Sequence, residues 1–490
     1  RNIMSEEIKN LEPKALWEHF YSLTQIPRPS KKEGKAVEFV KKFGEDLGLE
    51  TIQDEVGNVI IRKPATKGME DRKGVVMQGH LDMVPQANSD SSQNFEPEPI
   101  EAFVDGEWVT AKGTTLGADN GMGVAAAMAV LSSNDLEHGP VEALFTVDEE
   151  AGMTGANALK PGILKGDILL NMDSEDEGEL YVGCAGGEDA NVTFSYKEDK
   201  LPIDYKAFKI SVKGLKGGHS GLDIPLQRGN ANKILFRLIN KAQNEFGLRL
   251  ADVQGGSLRN AIPREAFATI AVPENGEAKF KAFVAELEKT IKNELSDTDP
   301  GVTITLDPAE APMFVIDETT QRNLTDAVMA VPNGVIRMSD AMPGLVETST
   351  NLAVVKTSEN NTIIAQCLMR SSVDSSKEEL AERITATFRM AGAKVQLAGA
   401  YPGWKPNMDS EILKVMQDTY NKKYGKIPEI KAIHAGLECG ILGSAYPNWD
   451  MISFGPTIRY PHSPDEKVNI ETVQKFWTWI VETLKAIPKK

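Results

Sequence analysis

The chain has 490 residues, with 54 Lys plus Arg against 71 Asp plus Glu and a formal charge of −17. That acidity repels phosphate backbones and argues against a nucleic-acid partner, while 41% hydrophobic and 26% charged residues exclude disorder as the main state. The longest apolar run, 124–131, falls far short of the ~20 residues that span a bilayer, so no membrane partner is expected. The start has no basic-then-apolar signal layout, and Arg1-Asn2-Ile3 ahead of Met4 is set aside as an addition to the natural start. Cys184, Cys367 and Cys439 are sparse, odd in number and without a CxxC pair. Such usage suits a reducing compartment, and the expected location is the cytoplasm.

In chain order, an amphipathic helix is expected over 13–23, a break at Ile26-Pro27-Arg28-Pro29-Ser30, and a helix over 35–47 capped by Ser30. A hairpin over 51–61 turns at Val56-Gly57-Asn58. Strands over 74–78, 141–147 and 168–172 alternate with a helix over 119–131, a rhythm that predicts an α/β layer with a mostly parallel sheet. The middle reads differently. Segments 208–213, 231–244, 265–272, 279–295 and 302–306, with a short piece at 255–258, resemble one ferredoxin-like unit. Segments 320–331, 334–338, 349–357, 361–370, 377–391 and 394–397 suggest a second. The α/β pattern then returns through 410–422, 429–432, 438–442, 450–453 and 471–486. The expected layout is a discontinuous catalytic domain, 4–187 with 400–490, and an inserted α+β domain of two ferredoxin-like halves at 188–399.

The chemistry-bearing residues follow strand ends, where ligands collect in such sheets. His80 and Asp82 share one face at the end of 74–78, a spacing that suits a ligand and a carboxylate orienting its ring. Asp119 opens a helix among Gly117, Ala118 and Gly121; Glu149-Glu150 ends a strand, Asp173 follows Ile168-Leu169-Leu170-Asn171-Met172, and His462 lies in Pro461-His462-Ser463-Pro464. His80, Asp119, Glu150, Asp173 and His462 make an N/O set without thiolate. It suits Zn²⁺, with Mn²⁺ or Co²⁺ as substitutes. Five groups exceed one open zinc but serve two metals when short, turn-held Asp119 bridges them and a water is shared. Glu149 is then left as general base and acid. Each acid taken singly reads as a solvated charge or a cap; joint occurrence at successive strand ends carries the expectation. No Gly-x-Ser-x-Gly elbow occurs, Cys439 is the only hint of a nucleophilic thiol, and His19 and His138 are assigned nothing.

Gly79-His80-Leu81-Asp82-Met83-Val84-Pro85, Thr115-Leu116-Gly117-Ala118-Asp119-Asn120-Gly121, Asp148-Glu149-Glu150-Ala151-Gly152 and Asn171-Met172-Asp173-Ser174-Glu175 run in the order seen in the co-catalytic zinc aminoacylase and dipeptidase family. Gly217-Gly218-His219-Ser220-Gly221, Arg259-Asn260-Ala261-Ile262-Pro263-Arg264, His434-Ala435-Gly436-Leu437-Glu438-Cys439-Gly440 and Pro461-His462-Ser463-Pro464 add to the likeness, so the chain resembles that family nearly throughout from Met4. The resemblance implies two Zn²⁺ held by His80, Asp119, Glu150, Asp173 and His462, with Asp82 positioning His80. It implies that the insert acts as a lid. There His219 would support the oxyanion, Arg370 would clamp a terminal carboxylate, and Asn260 and the Gly436 backbone would help; His434 has no assigned role. The implied activity is hydrolysis of unblocked dipeptides of broad specificity, including Xaa-His. The apparent duplication places His219 and Arg370 in service of one site within a chain, and a homodimer remains compatible. The competing readings are an amidohydrolase on N-acylated amino acids, a two-metal phosphoesterase and a non-catalytic peptide-binding protein.

Overall fold

Val75–His80, Val141–Thr146, Ile168–Asn171 and Asp450–Ser453 are mutually parallel and form the centre of an eight-stranded sheet. Their near-continuous apolar sequences follow from burial on both faces; every residue of Val75–His80 and Val141–Thr146 is buried. Glu50–Gln53 and Val59–Lys63 extend one side as an antiparallel hairpin, and Glu179–Cys184 and Glu429–Ile433 extend the other. The computed structural model describes residues 2–96 and 98–490. This sheet belongs to the first of two compact units, which comprises the chain up to Gly183, Pro406–Ala432 and Leu437–Lys490.

The helix Ala118–Ser132 packs on the central strand Val75–His80 and is itself covered by the helix Lys14–Thr24. Sandwiched on both sides, it is buried from Ala118 to Leu131, which explains its Gly- and Ala-rich composition. One local expectation fails. The helix after the Pro27–Pro29 break spans Gly34–Asp46 with Glu33, not Ser30, at its N-cap position. Lys31, at φ +70, and the turn from Lys32 N to Pro29 O intervene, so Ser30 lies too early to reach the helix's free N–H groups. Among the described residues no helix is long and apolar enough to cross a membrane.

The second unit, Cys184–Lys405 with Ile433–Gly436, is built on a nine-stranded sheet. One half consists of Tyr205–Lys213, helix Ala231–Glu245, Arg249–Gly255, Ala266–Pro273, helix Glu277–Glu294 and Thr303–Pro308. Its strands lie in the order fourth, first, third, second. The other half consists of Gly186–Ser195, helix Glu318–Ala330, Val346–Ser358, Thr362–Ser371, helix Asp374–Met390 and Lys394–Tyr401, in the same order. Both halves therefore have the ferredoxin-like βαββαβ plan. The first is inserted between the opening strand and the opening helix of the second. They join edge to edge at Gln254–Lys356 and Gly255–Val355, over one core that includes Phe194, Phe208, Leu235, Phe280 and Phe388.

The sequence reading differs here in three places. Gly334–Met338, expected as a member of the second half, lies off the main strand order and pairs with Val346–Ser358. The strand Arg249–Gly255 replaces the short piece expected at 255–258, and Gly186–Ser195, the first strand of the second half, was not anticipated. Its half-buried Glu188, Asp189 and Asn191 break up the apolar signal, and the strand stands far from its neighbours in sequence.

Candidate active site

The strand ends of the first unit bring the singled-out residues together. His80 is the last residue of Val75–His80; Glu149 and Glu150 follow Val141–Thr146, and Asp173 follows Ile168–Asn171. Because these strands are parallel neighbours, all three termini open on the same edge. Asp119 sits at the start of Ala118–Ser132, after Gly117 at φ +81. His462, at φ +65, lies in the loop ahead of Lys467–Asn469.

Asp119 lies between the two imidazoles. Its Oδ1 is 3.0 Å from His80 Nε2, and its Oδ2 is 3.0 Å from His462 Nε2. His80 Nε2 also faces Asp173 Oδ1 at 3.4 Å, Glu149 Oε2 at 3.5 Å and Glu150 Oε1 at 3.7 Å. His462 Nε2 faces Glu150 Oε2 at 3.0 Å. His80, Glu149 and Asp173, and again His80, Asp119 and Glu150, offer ligand atoms that lie within 4.8 Å of one another.

Four carboxylates crowd two imidazoles in a largely buried space. Burial, joined by the charges of Asp173, Glu150 and Glu438, pushes the Glu149 carboxyl well above the usual range against the pull of His80. Burial and Asp119 push Asp173 up in the same way. Burial likewise raises Glu150, although His462 opposes it. His462, bonded to Asp119 and Glu150, is raised to about 11. Like charges packed this closely are relieved by protonation or by a bound cation. The donor set, imidazole nitrogens and carboxylate oxygens without sulfur, fits divalent zinc or a similar ion. Two such ions fit the two-sided placement of Asp119.

Asp82 organises the edge of this cluster. His80 Nδ1 lies 2.9 Å from the Asp82 carbonyl and 3.3 Å from its Oδ1. The Nδ1 proton is thereby engaged, and Nε2 is left as the ring nitrogen that faces Asp119 and could serve a metal ion. The Asp82 carboxylate, fully buried, accepts from the Glu149 N–H at 3.0 Å, the Glu150 N–H at 3.1 Å and the Ser30 hydroxyl at 2.5 Å. Burial works against its ionisation, but the bonds from His80, Ser30 and the Glu149 backbone outweigh it and hold the group well below the usual range. Sequence reasoning missed Ser30's part. The one sequence signal is its place in a Pro-rigid loop, which points to a helix cap.

The other candidates lie in the second unit, where they form their own cluster. His219 pairs with Ala261 in a short ladder, and Ser220 N donates to Asn260 O at 2.9 Å. Arg370, on Thr362–Ser371 and 5% exposed, donates to Ser220 Oγ from Nε at 3.3 Å and from a terminal nitrogen at 3.2 Å. His219 Nδ1 accepts the N–H groups of Gly221 and Leu222, each at 3.0 Å. Its proton therefore resides on Nε2, and the ring is a neutral donor. Burial and then the Arg370 charge lower its pKa. Gly436 lies against Tyr401, where a Cβ would stand 3.0 Å from the ring. His434, left without a role by the sequence, bonds Ser349 Oγ at 2.7 Å, and burial lowers it to about 3.

Comparisons with known proteins bear on the chain as a whole. The sequence pattern of peptidase family M20/M25/M40 matches residues 76–486. The chain is 46% identical over 484 residues to the cytosol non-specific dipeptidase of Escherichia coli strain K12, covering 99% of this chain and 100% of that one. The crystal structure of the aminoacylhistidine dipeptidase from Vibrio alginolyticus superimposes with a TM-score of 0.96 at 49% identity, covering 99% and 98% of the two chains. The aminopeptidase PepT of Bacillus cereus shares the fold alone, with a TM-score of 0.57 at 17% identity over 97% of this chain and 99% of that one. A full-length relative, a matching fold and a family pattern over most of the sequence agree: the chain belongs to peptidase family M20/M25/M40.

Proposed function

We propose that this protein is a metal-dependent dipeptidase of broad specificity, acting on unblocked dipeptides that include Xaa-His. The observation that carries the reading is the Asp119 carboxylate, one oxygen 3.0 Å from His80 and the other 3.0 Å from His462, with Glu150 and Asp173 beside it and Glu149 adjacent. The names of the full-length relatives from Escherichia coli and Vibrio alginolyticus support the substrate class. In this reading His80, Asp119, Glu150, Asp173 and His462 hold two Zn²⁺, with Mn²⁺ or Co²⁺ as substitutes. When bound, such ions polarise the scissile carbonyl and acidify water.

The chain's own groups do the rest. Glu149, its carboxyl raised by burial and neighbouring acids, takes a proton from the attacking water and returns it to the leaving amine. Asp82 fixes the His80 tautomer and, through the Glu149 and Glu150 N–H groups, the loop that carries the base. Residues 4–187 and 400–490 carry this chemistry apart from the stretch at Gly436, which with residues 188–399 supplies recognition. His219 offers its Nε2 proton to the developing oxyanion. Arg370, Asn260 and the Gly436 backbone receive the substrate's terminal carboxylate, which limits substrate length. Arg370 donates to Ser220, the neighbour of His219, which supports His219 and Arg370 acting together on one substrate; in this reading they do so within one chain. The three buried cysteines and the relative's cytosolic name support a cytoplasmic location.

The test is metal analysis combined with a substrate panel on one purified sample. About two zinc ions per chain and turnover of free dipeptides are expected. Preference for N-acetyl amino acids would move the assignment to an amidohydrolase, and preference for phosphoesters would overturn it.

A further inference from the structure

Two buried charges outside the proposed ligand set grip the loops that carry it. Arg28 is 1% exposed and Glu466 is 2% exposed. Arg28 donates from one terminal nitrogen to the Leu81 carbonyl at 2.9 Å and from the other to the Gly117 carbonyl at 2.6 Å. Leu81 lies between His80 and Asp82, and Gly117 lies just ahead of Asp119. Glu466 accepts from the Leu116 and Gly117 N–H groups at 2.8 Å each through Oε1, and from the Asp119 N–H at 3.1 Å through Oε2. Glu466 closes the turn that carries His462: its N–H donates to Ser463 O at 3.0 Å, and its carbonyl accepts the Thr110 hydroxyl at 2.8 Å.

Arg28 thus joins the His80 loop to the Asp119 turn, and Glu466 joins the Asp119 turn to the His462 loop. The surrounding sequence is shaped to leave room. A Cβ on Gly117 would stand 2.5 Å from an Arg28 terminal nitrogen, and one on Gly121 would stand 2.8 Å from it. Gly117 also needs its left-handed φ of +81. Burying a guanidinium and a carboxylate is costly, and both groups direct their bonds at backbone that flanks proposed ligands.

We infer that Arg28 and Glu466 are positioning residues for the metal centre, setting the separation of the His80, Asp119 and His462 loops through hydrogen bonds to their backbone. This rests on the metal reading above. Its test compares wild-type, Glu466→Gln and Arg28→Lys chains. Glutamine must turn its amide NH₂ toward a backbone N–H, and lysine cannot hold both carbonyls in the fixed geometry of a guanidinium fork. Zinc affinity is measured by competition with a chromophoric chelator, together with metal-free melting and dipeptide kcat and KM.

In both variants zinc binding is expected to weaken by about 10- to 100-fold and kcat to fall while KM stays within about twofold. The metal-free fold is expected to remain intact at the assay temperature. Folded variants whose zinc affinity stays within about threefold of wild type overturn the inference. So does a loss of zinc binding that only tracks the fraction of chain unfolded. If Glu466→Gln does not fold, Glu466→Asp and Arg28→Lys carry the same readout. A wild-type chain that binds no zinc refutes the metal reading instead, so the two failures are distinct.

Discussion

Replacing Asp82 by Asn probes the best-satisfied carboxylate of the site with almost no change in volume. Asp82 is fully buried, and its two oxygens receive the Glu149 N–H, the Glu150 N–H and the Ser30 hydroxyl. The amide retains one acceptor oxygen. The Ser30 hydroxyl can rotate to accept from the new NH₂ group, but one of the two backbone N–H groups must then face it. Losing a buried bond to a charged acceptor costs about 1.5–3 kcal/mol. The bonds that survive weaken because the acceptor is neutral. A total of about 3 kcal/mol follows, and at ~2–4 °C per kcal/mol for a unit of this size the metal-free melting temperature should fall by about 6–12 °C. The same change releases the backbone of Glu149 and the ring of His80, so kcat for a dipeptide should drop by about 10- to 100-fold at saturating zinc. Calorimetry of the metal-free chain and steady-state kinetics of the loaded one give the two numbers. A variant that melts within about 2 °C of wild type and turns over normally would refute the organising role given to Asp82.

Glu149→Gln should keep its metal and lose about 10²- to 10⁴-fold in kcat; retained turnover in a fully metallated variant removes Glu149 as the base. His219→Ala should lower kcat by about 10²- to 10³-fold. Mixing it with Glu149→Ala chains should restore nothing, since recovery by subunit exchange contradicts a site completed within one chain. The pH dependence of stability should carry the mark of His19, which burial holds at about 4 against 6.5. Between those values the unfolded chain takes up a proton that the folded one refuses, so stability falls as pH drops from about 6.5 to 4. Metal-free His19→Gln should show a shallower fall in melting temperature across that window than wild type, and identical slopes would show that His19 does not contribute.

The residues most legible in the sequence were those that follow apolar runs. His80, Glu149-Glu150 and Asp173 each end a buried strand, and parallel strands bring such ends to one edge. Asp119 was marked by the small residues around it, although the two-sided approach of His80 and His462 is visible only in three dimensions. Contacts through backbone left no pattern to read. Asp82 reaches the Glu149 and Glu150 N–H groups and Glu466 reaches the Asp119 turn, and no spacing rule encodes either. The hidden tautomer of His219 depends on the N–H groups of Gly221 and Leu222, which the Gly-rich turn hinted at without specifying. In the fold, apolar periodicity revealed one ferredoxin-like half well. The other half was harder, because its opening strand lies a whole inserted half away from its partners.

That separation has a consequence for the growing polypeptide. Gly186–Ser195 pairs with Thr362–Ser371 and Lys394–Tyr401, which a ribosome extending at ~5–20 residues per second delivers only after about 10–40 s. Through that interval the segment is an unpaired edge, the kind of surface that recruits stray chains. Asp189, Asn191, Thr193 and Ser195 alternate with Ala190, Val192 and Phe194. The polar positions that obscured the strand in the sequence are thus the ones that keep it hydrated while it waits.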